Sequence, residues 1–117
     1  MSVDTFEQGV LRTADEWSFI RSVETVDKTD QAIKLRLQVD AECFVQVYAN
    51  VRKNLFSYTL VLNRSRIYGR DSEGGTWHRH PYGDANSHDR TPDGQAEVSL
   101  AQFLAEVQQI LQAEGLL

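Results

Sequence analysis

A chain of 117 residues with a net charge of −5 has room for one domain, residues 1–117, which buries about two thirds of its unfolded surface without covalent staples. Its single cysteine excludes an internal disulfide and a four-thiolate zinc site and fits a reducing compartment. The opening MSVDTFEQGV has no basic n-region, and no apolar run reaches the ~20 residues of a membrane span, so a soluble, cytoplasmic protein with no membrane partner is expected.

An acidic protein repels phosphates unless its cations are gathered on one side. Here residues 44–70 contain no acid and carry +5, through Arg52, Lys53, Arg64, Arg66 and Arg70, which leaves the remainder at −10. A basic face is therefore open to the fold, although ordinary solvated strand charges would read the same way.

The elements follow in chain order. VDTFEQGVL offers a short N-terminal helix through Val3, Phe6, Val10 and Leu11, weakened by Gly9 at about 1 kcal/mol. EWSFIRSVETV, ahead of the DKTDQ turn, reads as a first strand. IKLRLQVD alternates cleanly, with Ile33, Leu35, Leu37 and Val39 on one side and Lys34, Arg36, Gln38 and Asp40 on the other. ECFVQVYANV continues the alternation and forms a hairpin with it. LFSYTLVLN and RSRIYGR follow, separated by the short polar pairs KN and NR, and TWHRH can pair back across SEGG as a sixth strand.

The C-terminal segment has complete helix punctuation. Ser99 and Gln102 form a capping box, Val98 and Phe103 occupy the staple positions, and Gly115 stands where the chain should leave the helix. Leu100, Phe103, Leu104, Val107, Ile110 and Leu111 make one apolar face, whose natural cover is the apolar face of the sheet. The expected fold class is α+β: a curved antiparallel meander of five to six strands, the C-terminal helix on one face, and a short N-terminal helix. The opposite face would show Lys34, Arg36, Gln46 and Tyr48 with some of Arg64, Arg66, Tyr68 and Arg70, a mixture of cations and rings able to hold a phosphate backbone and stack on bases.

Residues 76–90, TWHRHPYGDANSHDR, hold all three histidines. Residues two apart on a strand share a face about 7 Å apart, so His78 and His80 could meet at one ligand, with His88, Asp84 or Asp89 as a third group. Zinc, manganese or nickel would be chemically acceptable, but an H-x-H pair arises easily by chance. The same imidazoles suit metal-free acid–base work near neutrality, and a polar loop whose rings bond backbone carbonyls is the plain alternative. No phosphate-binding glycine loop, nucleophile elbow or paired thiol is present. No metal and no cofactor are assigned.

The order of motifs, from IKLRL through FVQVYANV, Phe56-Ser57-Tyr58, IYGRD with Arg70-Asp71, the HRHP segment and the terminal amphipathic helix, resembles the TumE-type toxins of prokaryotic toxin–antitoxin pairs over residues 17–90. The resemblance implies a toxin with an antitoxin protein as partner and RNA as its target. The motif supplies no mechanism, but metal-free RNA cleavage needs a base, an acid and a cation. A metal-independent ribonuclease is therefore expected from the residues themselves, with His78 and His80 as acid and base, Arg70 as a cation at the reacting phosphate and Tyr58 as an orienting group. Arg36, Tyr48, Arg64, Arg66 and Arg79 would bind the RNA. A non-catalytic protein-binding module is the alternative, and neither fixes an oligomeric state.

Overall fold

The alternation of apolar and polar residues from Ala32 onward becomes the central sheet. The computed structural model describes residues 1–117: α1 (Val3–Asp15), β1 (Ser22–Lys28), β2 (Ala32–Asp40), β3 (Cys43–Asn50), β4 (Leu55–Leu62), β5 (Ser65–Glu73), β6 (Thr76–His80) and α2 (Leu100–Ala113). The strands form one antiparallel sheet in sequence order, β1-β2-β3-β4-β5-β6, which is the meander that short polar turns dictate. The α+β architecture expected from sequence is the one observed, with all six strands. No helix is long and apolar enough to cross a membrane.

Register divides the side chains between two faces. Ile33, Ala49, Phe56, Ser72 and Trp77 lie in one row across β2 to β6, and Leu35, Val47, Tyr58, Arg70 and Arg79 in the next. These rows face the helices: Phe6 of α1 lies 5.7 Å from Phe56, and Phe103 of α2 lies 5.6 Å from both Tyr58 and Tyr68, ring centre to ring centre. Phe103, Leu104, Val107 and Leu111 are fully buried, so α2 supplies the apolar cover that its sequence demanded.

The ends of α2 are built as its sequence specifies. Ser99 Oγ accepts the Gln102 amide at 3.1 Å, and Gly115 takes φ 72° while the amides of Gly115 and Leu116 return to the carbonyls of Gln112 and Leu111. This pair of bonds is a Schellman motif, which glycine permits because it has no Cβ.

The N-terminus departs from expectation. α1 runs 13 residues behind a Ser2 cap, and β1 starts only at Ser22, so Trp17, Phe19 and Ile20 belong to the connection instead of a strand. A helix that ends against the sheet needs chain to reach the sheet edge, and Trp17 and Phe19 spend that length packing edge to face at 5.9 Å. Asp27 and Lys28, expected in a turn, extend β1.

Candidate histidine–aspartate centre

The second sheet face carries the other two rows. One is Asp27, Lys34, Tyr48, Ser57, Asp71 and His78; the next is Glu24, Arg36, Gln46, Thr59, Gly69 and His80. Lys34, Arg36, Gln46 and Tyr48 therefore share the face opposite the helices, as their alternation predicts. Arg36 lies over the Phe44 ring at 4.2 Å.

His78 and His80 end these rows on β6, and His88 arrives from the loop that follows. That loop is folded back by the Asp89 amide, which donates to the Arg79 carbonyl at 2.7 Å, and by the Arg79 guanidinium on the Asp89 carboxylate. The three rings then stand with centres 5.3, 4.7 and 4.6 Å apart, and one nitrogen from each lies within 4.8 Å of the others. His80 is buried, His78 half-buried and His88 exposed, so the cluster is anchored at one end and reachable at the other.

Asp71 completes the group. Its Oδ2 lies 2.8 Å from His80 Nε2 and 3.7 Å from His78 Nε2, while Oδ1 accepts the Ser57 hydroxyl at 2.9 Å. His80 Nδ1 lies 3.1 Å from the Ala85 carbonyl, which also accepts from Arg66 Nη2 at 3.0 Å. Both partners of His80 are acceptors, so the ring satisfies them only by donating from both nitrogens or by presenting Nε2 to a cation. Burial holds the His78 imidazole below its ordinary value, and the imidazoles of His88 and His80 pull the same way against Asp71.

Several residues expected at the site lie elsewhere. Tyr58 and Arg70 occupy the helix-covered face, because alternation on β4 and β5 turns them away from Ser57 and Asp71. Burial, with the nearby Glu97 carboxylate, pushes the Tyr58 hydroxyl up to about 12. The buried Arg70 guanidinium bonds Glu106 Oε2 at 2.6 Å, Glu106 Oε1 at 3.2 Å and the Asp93 carbonyl at 3.0 Å. It lies buried on the face of the sheet opposite the histidines, out of reach of a phosphate held there. Arg79 is likewise committed, to Asp89 and to Asp93 at 3.1 Å, and Arg64 sits in the β4–β5 turn at φ 69°. The cations of residues 44–70 thus disperse, with Arg52 and Lys53 exposed in the β3–β4 turn, and form no continuous basic face.

Asp71 and Ser57 had no assigned role in the sequence, while His88 was one of three candidates for the third group beside His78 and His80. Asp71 was within reach, since the Gly74-Gly75 turn, with φ 59° and 87°, pairs Glu73 with Thr76 and so sets Asp71 opposite His78. His80 on the open face and Trp77 on the helix side also belong to the buried part of the molecule.

Together these features describe a half-covered meander carrying a histidine–aspartate cluster at one corner of its open face. No family model, no curated protein and no solved structure matches the chain.

Proposed function

We propose that this protein is the toxin-like member of a toxin–antitoxin pair, acting on RNA at the cluster of His78, His80, His88 and Asp71. The observation that carries the reading is the convergence of three imidazoles and a carboxylate at the corner of a face that also presents Tyr48, Phe44, Lys34 and Arg36. Imidazole can take or give a proton near neutrality, rings stack on unpaired bases, and Lys34 and Arg36 meet phosphates. The order of sequence motifs shared with TumE-type toxins points the same way.

The distances constrain how RNA would lie. Four strand spacings separate β2 from β6, about 19 Å at ~4.8 Å each, so Lys34 and Arg36 hold the strand several nucleotides from the reacting phosphate. Only His78 and His88 face a substrate directly, because both nitrogens of His80 are engaged.

The test is induced expression in a bacterial host with RNA profiling, comparing wild type with His78→Ala and His88→Ala. Wild type should arrest growth and leave cleaved RNA, both variants should lose this, and co-expression of the expected antitoxin protein should restore growth. Cleavage that persists in chelator supports the imidazoles as acid and base in a metal-independent ribonuclease; cleavage that stops assigns the chemistry to an ion.

A non-catalytic protein-binding module is the second reading, favoured by the pairing of Arg70 and Arg79 with carboxylates and by the net charge of −5. Absence of toxicity together with absence of RNA binding at low salt would decide for it.

A further inference from the structure

We propose that His78, His80, His88 and Asp71 bind one divalent transition-metal ion, zinc by preference; the proposal shares the site of the RNA reading above and would assign that site's chemistry to the ion in place of free imidazoles. The ligand atoms are gathered before any ion arrives: three ring nitrogens lie within 4.8 Å of one another, and Asp71 Oδ2 lies 2.8 and 3.7 Å from the Nε2 atoms of His80 and His78. Ligands around a tetrahedral zinc with bonds of about 2.0–2.1 Å stand roughly 3.3 Å apart, so small ring rotations close the site.

The groups behind the ligands point the same way. His80 donates Nδ1–H to the Ala85 carbonyl, which leaves Nε2 as its metal-facing nitrogen, and the Ser57 hydroxyl occupies Asp71 Oδ1, which leaves Oδ2 for the ion. Such outer bonds fix the tautomer and orientation of metal ligands. Three independent restraints hold the ligands: the β5–β6 register for Asp71, His78 and His80, the Arg79–Asp89 pairing for His88, and the burial of His80.

Donor chemistry selects the ion. Three imidazoles with one carboxylate suit zinc, nickel or manganese, whereas calcium and magnesium call for oxygen. Cys43 is buried on the helix side of the sheet and supplies no thiolate.

The experiment uses the full chain carrying a tag without histidine, stripped with chelator and titrated with zinc chloride by calorimetry, with cobalt(II) absorption as the report on geometry. Wild type should take up one zinc per chain, give a tetrahedral cobalt spectrum and unfold at higher temperature with zinc than without, as a ligand of the native state requires. His88→Ala, at an exposed position, should keep its fold and lose roughly 100-fold in affinity. Asp71→Asn should lose about 10- to 100-fold. Zinc uptake by wild type no tighter than by His88→Ala, or no uptake at all, overturns the proposal. The readout contains no RNA, so a zinc-loaded protein that leaves RNA intact would refute only the RNA reading.

Discussion

Arg70 is the largest of the fully buried side chains, and its surroundings explain why sequence misassigns it. An arginine amid a run of cations reads as a solvated phosphate ligand. Alternation along β5 places it in the row of Leu35, Val47 and Tyr58, where it is tolerable only because Glu106 of α2 reaches it from above and the Tyr68 hydroxyl bonds the same carboxylate at 2.8 Å. No local pattern reveals that pairing, since residues 70 and 106 meet only once the helix has docked. A buried charge left alone is expensive, so Glu106→Ala should cost about 3 kcal/mol, less than full isolation because the Asp93 carbonyl remains. Adding Arg70→Met should recover most of the loss in urea denaturation; failure to recover would show that Glu106 stabilises the helix for another reason. Tyr58 and Tyr68 make a second measurable case, each pushed up to about 12, mainly by burial. An unfolded tyrosine loses its proton near 10, so above about pH 10 the unfolded chain holds fewer protons than the folded one. Stability should therefore fall as pH rises from about 10 to about 12. Absorbance at alkaline pH should show Tyr58 and Tyr68 titrating late, and Tyr58→Phe should remove one late-titrating group.

At the scale of elements, the legible parts were those governed by a local period. β2, β3 and β4 follow from strict alternation, and α2 from its caps and apolar stripe. The connection after α1 was illegible because Trp17, Phe19 and Ile20 are as apolar as a strand and only the docking of α1 decides their path. β5 hides its register too: a bulge at Leu60/Val61 sets Arg66 against Val61 and Tyr68 against Leu60, so Arg66 swings to the Ala85 carbonyl. Two substitutions probe this level. Phe103→Ala should cost about 3–5 kcal/mol, the usual range for a buried aromatic; a loss under about 1 kcal/mol would mean that α2 does not rest on the sheet through this ring. Gly75→Ala forces a side chain into a backbone with φ 87°, at about 1–2 kcal/mol. Because that turn sets Asp71 against His78, its larger effect should fall on the cluster, seen as exchange broadening or displacement of the histidine ring signals in NMR. Unchanged histidine signals would detach the cluster from the turn.

For the molecule as a whole, the arrangement of charge decides what RNA binding can look like. Residues 44–70 carry +5 in sequence, yet folding sends Arg70 inward, Arg52, Lys53 and Arg64 to turns and Arg66 to a carbonyl, while Glu24 and Asp27 flank Arg36 and Lys34 on the open face. A surface of this kind cannot release many counterions. With Lys34 and Arg36 as the main phosphate contacts, the logarithm of affinity for single-stranded RNA should fall against the logarithm of salt with a slope of about −1.4, at about −0.7 per contact. Arg36→Gln should reduce the slope by about 0.7, and Tyr48→Ala should weaken binding at every salt concentration without changing the slope, because stacking releases no ions. Arg66→Gln should act on the cluster through Ala85 and leave the slope near its wild-type value, the opposite of the phosphate-ligand role read from its sequence neighbours. A slope several-fold steeper would mean that the turn cations at Arg52, Lys53 and Arg64 carry the RNA, which would move the binding path off the open face and away from the histidines.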